Sequence, residues 1–254
     1  MDLELSASLP ALYGGLPFAA ACAAAATDGF RCVETWEAPP EPEWSNALRA
    51  LATHDLSLTS VNTTAGESPA FGLAADQTAV SGWRADFVHT LEFTRRAGAS
   101  AINVLAGARV VGQTRPVQLS CLRANLEWVL ELMEPDDPAL LLEPLNGADR
   151  DSPLLCRVDD AVAVLEQVSS DQARLLFDAY HLYQEEEDLL GVFDRALPYV
   201  GHVQVADFPG RGEPGSGELP WKAFLAHVAR SGYRGRVGCE FLPTHPDAIA
   251  PTRV

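Results

Sequence analysis

Short, continuously apolar runs alternate along this chain with longer stretches that read as helices. The runs are Leu3–Ser8, Cys32–Trp36, Leu56–Asn62, Ala101–Leu105, Leu140–Glu143, Leu175–Asp178, His202–Ala206 and Arg236–Glu240. Unbroken hydrophobicity of this kind belongs to parallel strands covered on both faces. Between them, Phe18–Thr27, Glu43–His54, Gly82–Ala97, Pro116–Met133, Asp159–Val168, Glu185–Leu197 and Trp221–Ser231 are expected as helices. Pro116 and Pro220 stand where a first-turn proline is welcome, and Gly29, Gly98 and Gly232 follow helices where a left-handed residue ends them.

Strand and helix in regular alternation imply a parallel sheet. The length of 254 residues suits one α/β barrel. A doubly wound open sheet is the competing architecture, but the Leu9–Phe18 segment carries only Gly14-Gly15 and no G-x-G-x-x-G turn. The expected fold is therefore α/β, a single (β/α)8 TIM barrel occupying residues 1–254 as one domain. Only the proline-bearing tail Pro243–Val254 follows the eighth strand, so the last helix is expected to be truncated or absent. A partner subunit would then cover that flank in a homo-oligomer. Two long loops, Thr63–Ala79 and Asp207–Leu219, follow the third and seventh strands and are expected over the functional face.

Four runs end on metal-competent side chains: Glu143 in LLLEPLN, Asp178 in LLFDAYH, Gln204 in HVQVAD and Glu240 in VGCEF. In a closed barrel such ends converge on the face where that fold does its chemistry. Four oxygen donors there suit a hard divalent cation, Mg²⁺ or Mn²⁺. Gln204 is neutral, which spares an anionic substrate one further repulsive charge. The acidic run Glu185–Asp188 is expected as the first turn of a helix, where negative charge suits the macrodipole. Glu34 and Glu37 are candidates to line a pocket, and core packing is expected for Trp36, Trp83 and Tyr183.

The net charge of -17 opposes binding to a phosphate backbone, and no run of Lys or Arg offsets it. Five scattered cysteines without C-x-x-C spacing read as buried thiols of a reducing compartment. MDLELSASL lacks the basic start of a signal peptide, and Leu16–Thr27 is shorter than the roughly 20 residues a membrane span needs. A cytoplasmic protein acting on a small molecule, with neither nucleic acid nor membrane as partner, is the expectation.

The run Leu141–Leu242, with LLEPLN, FDAYH, GHVQVADFPGRGEPGSGE and VGCEF, resembles the hydroxypyruvate isomerase family of the xylose-isomerase-like barrels. AINVLAGA at Ala101–Ala108 and, more loosely, VNTTAGE at Val61–Glu67 extend the likeness across nearly the whole chain. The resemblance implies interconversion of hydroxypyruvate and tartronate semialdehyde. It implies Glu143, Asp178, Gln204 and Glu240 as metal ligands, Glu143 and Glu240 also as the proton-transferring pair, and His181 and Arg211 as substrate contacts. Arg211 either clasps a substrate carboxylate or pairs with Glu213 or Glu218, and His181 either meets substrate or caps its strand. His202, on the same strand face as Gln204, is expected as a packing or supporting group. TWEAPPEPEW, SASLPAL and ESPAFGLAADQTAVSG depart from the family's pattern and bear on the substrate more than on the reaction. A sugar 3-epimerase or four-carbon oxo-acid isomerase shares the proton chemistry. A metal-dependent endonuclease and a non-catalytic sugar-acid-binding barrel are the other classes.

Overall fold

The computed structural model describes residues 3–67, 70–245 and 248–249. In chain order the elements are β1 (Leu5–Ser8), the short α1 (Leu9–Leu12), α2 (Phe18–Asp28), β2 (Cys32–Thr35), α3 (Trp44–Thr53), β3 (Ser57–Asn62), α4 (Val80–Ala97), β4 (Ala101–Val104) and α5 (Arg115–Leu132). They continue as β5 (Ala139–Leu142), α6 (Val158–Val168), β6 (Ala173–Asp178), α7 (Ala179–Glu185), α8 (Leu189–Ala196), β7 (Val200–Val205), α9 (Trp221–Arg230) and β8 (Val237–Cys239). Neighbouring strands all pair in parallel, and β1 also pairs with β8, so the sheet closes into a barrel in sequence order. Each expected strand lies within two residues of its observed bounds.

The helix expected from Glu185 to Leu197 begins only at Leu189, an unforeseen helix, α7, precedes it, and the acidic run is the joint between the two rather than a first turn. The cause is capping. Asp178 Oδ1 accepts from the Tyr180 N–H at 2.9 Å and starts α7 directly at the strand's end, while Asp188 starts α8 by accepting from Gly191. Glu185 and Glu186 accept from the backbone N–H groups of Gly147 and Val158, which ties the joint to the neighbouring loop. After β8 the described residues contain no α-helix; Pro246, Asp247 and residues 250–254 of the expected tail lie outside the described residues.

Outward-facing side chains of the strands bury against the helices. Phe177 on β6 meets Phe193 of α8 edge-on at 5.1 Å and Phe224 of α9 stacked at 5.8 Å. Each such side chain contributes about 2 kcal/mol by leaving water. The inner face is different. Only Ala101, Leu141 and Leu176 form an apolar cluster of their own there. Around them Ser6, Glu34, Thr59, Asn103, His202 and Gln204 are all buried. Glu34 and His202 show that this polarity spans the interior: β8 and β1 lie between their strands, yet His202 Nε2 is 2.9 Å from Glu34 Oε2. Among the described residues no helix is long and apolar enough to cross a membrane.

Candidate active site

Parallel pairing sets the level of each functional side chain. Asp178 is in register with Gln204, and Gln204 with Gly238, while Glu143 and Glu240 are the first residues past β5 and β8. A Cβ at Gly238 would collide with Glu34 and Gln204, so only glycine lets this polar layer close beneath Glu240. A cavity of about 580 Å³ opens above, lined by Glu143, Glu240, His181, Arg211, Trp36 and Arg150 among others. Both long loops reach it, the first through Ala65 and Phe71, the second through Arg211.

Glu143 Oε2 accepts from Asn103 Nδ2 at 2.7 Å. Burial, and then the charges of Glu240 and Asp178, hold its carboxyl well above the usual range. Asp178 is pushed up to about 7, mainly by burial, against the opposing charge of Arg211. Its capping bond uses Oδ1 and leaves Oδ2 buried with no hydrogen-bond partner, aimed at the barrel mouth. Gln204 Oε1 is likewise buried and unpartnered.

His181, three residues beyond Asp178, is gripped at both ring nitrogens. The Asn146 backbone N–H donates to Nδ1 at 3.2 Å, and the Asn146 side-chain amide stands 2.7 Å from the same atom. Asn146 Oδ1 is taken up by the Asp149 N–H, so the side chain presents its NH₂ to the ring. Both ring nitrogens therefore face donors, Asn146 at Nδ1 and the guanidinium of Arg211 at Nε2. Burial, then Arg211 and Arg150, hold the ring neutral by pushing its pKa well below the ordinary histidine value. His181 is thus a neutral ring whose Nε2 stands 3.7 Å from Asp178 Oδ2 and 3.9 Å from Glu143 Oε1.

Arg211 pairs with neither Glu213 nor Glu218 across its loop. Its Nη2 is 2.8 Å from Glu240 Oε2 and 3.6 Å from Asp178 Oδ2, and its Nη1 is 3.3 Å from His181 Nε2. These carboxylates raise its pKa further, so it stays charged. Trp36 Nε1 donates to the other Glu240 oxygen, so this tryptophan serves the site, half exposed, rather than the core. Trp83 does lie in the core, and Tyr183 packs against its edge. Glu34 lies beneath the cavity in its pair with His202, whereas Glu37 lines it.

The loop carrying Arg211 is organised by Asp207, whose buried carboxylate accepts from the N–H groups of Phe208, Gly215 and Leu219 at 2.9, 2.6 and 2.9 Å. Removing that acceptor strands three donors. Asp207→Ala is expected to cost about 3 kcal/mol, a fall in Tm of roughly 6–12 °C. It should also raise KM, because Arg211 loses its support. Thermal unfolding and steady-state kinetics check this; an unchanged Tm would show that the carboxylate does not hold the loop.

Glu143, Asp178 and His181 each offer one atom within 4.8 Å of the others. The two orphaned oxygens on Asp178 and Gln204 make the cluster fit for a cation. Glu240 is held by Arg211 and Trp36 outside this tight group while lining the same cavity. Asn103, Asn146, Trp36, Arg150 and Asp207 complete the surroundings. Of these, Asn103 left a trace in the sequence, a lone polar residue in the apolar run AINV.

A closed parallel barrel with buried carboxylates at the carboxyl ends of its strands defines an α/β-barrel enzyme of small-molecule type. The chain matches the xylose isomerase-like TIM barrel family over residues 22–252 and belongs to it. Hydroxypyruvate isomerase of Escherichia coli K12 is 30% identical, over 95% of this chain and 94% of its own. The 2-oxo-tetronate isomerase of Cupriavidus necator H16 is 30% identical, over 94% of this chain and 93% of its own. Within the family, then, this chain is an isomerase. A Brucella melitensis structure described as an AP endonuclease of family 2 superposes with a TM-score of 0.92, covering 98% of this chain and 97% of that one. At 24% identity that likeness shows the fold alone.

Proposed function

We propose that this protein interconverts hydroxypyruvate and tartronate semialdehyde, with Glu143 and Glu240 as the proton-transferring pair. The observation that carries the reading is the pair of buried carboxylates lining one cavity together with a neutral histidine and a partly buried arginine. A ketose–aldose shift on a three-carbon acid moves one hydrogen from C3 to C2 through an enediolate, and a second proton between the two oxygens. The carbon acid is weak, so the reaction needs a base, and it needs donors where negative charge grows on oxygen.

This chain supplies both. Burial, and then like charges, favour the protonated form of Glu143 in the metal-free protein. Glu240, braced by Arg211 and Trp36, is the carboxylate fixed in one orientation. His181 lines the same cavity as a neutral ring that can meet a substrate oxygen. Glu143, Asp178, Gln204 and Glu240 would hold Mg²⁺ or Mn²⁺. When bound, the ion would act as a Lewis acid on the substrate oxygens.

A second reading, a four-carbon 2-oxo acid, is favoured by the cavity's volume of about 580 Å³, which leaves room beyond a three-carbon acid. It agrees with the activity named for the Cupriavidus relative. A nuclease reading is disfavoured by the net charge of -17 and by a single histidine in the candidate cation group.

Incubation of the purified, Mn²⁺- or Mg²⁺-supplemented protein with hydroxypyruvate in deuterated water tests the proposal. Loss of the C3 hydrogens from the proton spectrum, with appearance of the aldehyde, is expected. Absence of both exchange and turnover across three- and four-carbon 2-oxo acids would remove it.

A further inference from the structure

Resting on the reading above and deepening it, we infer that Arg150 selects substrates that carry a carboxylate. Two arginines line the cavity, Arg150 and Arg211. Arg211 is already shared between Glu240 and Asp178. The three buried carboxylates Glu143, Asp178 and Glu240 would be balanced by Arg211 and a divalent cation. The charge that answers a substrate carboxylate therefore has to come from outside that group. Arg150 is the cation lining the cavity there, and among the described residues it has no carboxylate within ion-pair distance.

Its setting is built. The guanidinium carbon lies 4.4 Å from the centre of the Phe71 ring. A guanidinium laid on an aromatic face keeps its N–H fork free at the edge, the geometry a planar carboxylate accepts bidentately. Phe71 holds φ of 49°, a left-handed conformation rare for a bulky residue, and the next residue, Gly72, bridges Ala106 beyond β4. On the other side Asp149 is held by the Asn146 amide at 3.1 Å, and Asn146 itself is bonded to His181. The two segments that present Arg150 are thus anchored to β4 and to the catalytic histidine. Glu37, also in the lining, is engaged with the Ala65 N–H and faces no arginine at ion-pair distance.

The test uses the metal-supplemented protein and its Arg150→Met and Arg150→Lys variants. Turnover is compared between hydroxypyruvate and the uncharged dihydroxyacetone, and binding, by calorimetry, between glycerate and glycerol. In Arg150→Met the acid-to-neutral ratio of kcat/KM should fall roughly 100-fold, chiefly through KM, with a similar loss of glycerate affinity. Arg150→Lys should recover part of both, since it keeps the charge and loses the fork. Parallel loss for acid and neutral compounds, or a wild type that binds glycerate no better than glycerol, would overturn the inference. The two ideas separate cleanly. Arg150-dependent glycerate binding without any turnover sinks the isomerase reading alone, whereas turnover with Arg150-independent glycerate binding sinks this one alone.

Discussion

Glu143→Gln is expected to lower turnover by roughly 10³-fold or more while leaving the metal-free fold at least as stable. A glutamine keeps the carbonyl oxygen that Asn103 bonds at 2.7 Å, so the packing survives. What disappears is a carboxyl that burial and two like charges already disfavour in its ionised form. The sign is fixed by linkage. A carboxyl whose folded pKa is raised binds more protons folded than unfolded, so its contribution to stability declines as pH climbs above the ordinary value of 4.5. The glutamine cannot titrate, and the variant's Tm should therefore vary less between pH 4.5 and neutrality than the wild type's. Kinetics with hydroxypyruvate and thermal scans at several pH values provide the check. A variant that keeps a tenth of the activity, or whose Tm collapses, would move Glu143 from the chemistry to the scaffold.

Removing divalent metal is the second large effect. Chelation is expected to cost roughly 10³-fold in turnover, restored by Mn²⁺ or Mg²⁺, and metal addition to raise Tm. The binding itself should be proton-coupled. Asp178, pushed up to about 7 in the metal-free protein, must surrender its proton to act as a ligand. Metal affinity should therefore fall about tenfold per pH unit below about 7, and more steeply where Glu143 also competes. Above that range the Asp178 contribution levels off. Calorimetric titration of the apoprotein with Mn²⁺ between pH 5.5 and 8 reads this directly. A flat affinity across that interval would show that neither carboxyl belongs to the cation site.

The two effects meet in one trade-off. Asp178 Oδ2 and Gln204 Oε1 are buried without partners, and each unpaired polar atom of that kind destabilises the metal-free fold. Donors of a cation site would stay unsatisfied in this way until the cation binds. Arg211 partly relieves the carboxylates by standing between Glu240 and Asp178. The same pairing commits that guanidinium to Glu240 and Asp178.

Much was legible in the chain itself, for a definite reason. Burial on both faces writes parallel strands as apolar runs, and a carboxylate at the end of such a run stands out against them. Glu143, Asp178, Gln204 and Glu240 were therefore visible as strand-end residues, and closure of the sheet followed from counting units. Local chemistry also had a voice: Gly29 and Gly98 do end α2 and α4 in left-handed conformations. Where an additional helix, α7, follows β6 directly, the strand-end aspartate acted as a cap, and a side chain with two possible jobs does not declare both in sequence.

What only the tertiary structure decided is pairing across distance. Trp36 reaches Glu240, 204 positions away; Glu34 meets His202 through the barrel's interior; Asn146 holds His181; and Phe71 supports Arg150. Such partners share no period and no motif, because they are brought together by the closing of a cylinder and by loops that cross its mouth. Hydrophobic periodicity records which way a residue faces, and that is a local property of the backbone. Which charge stands opposite it, and hence which proton it keeps, depends on every other strand.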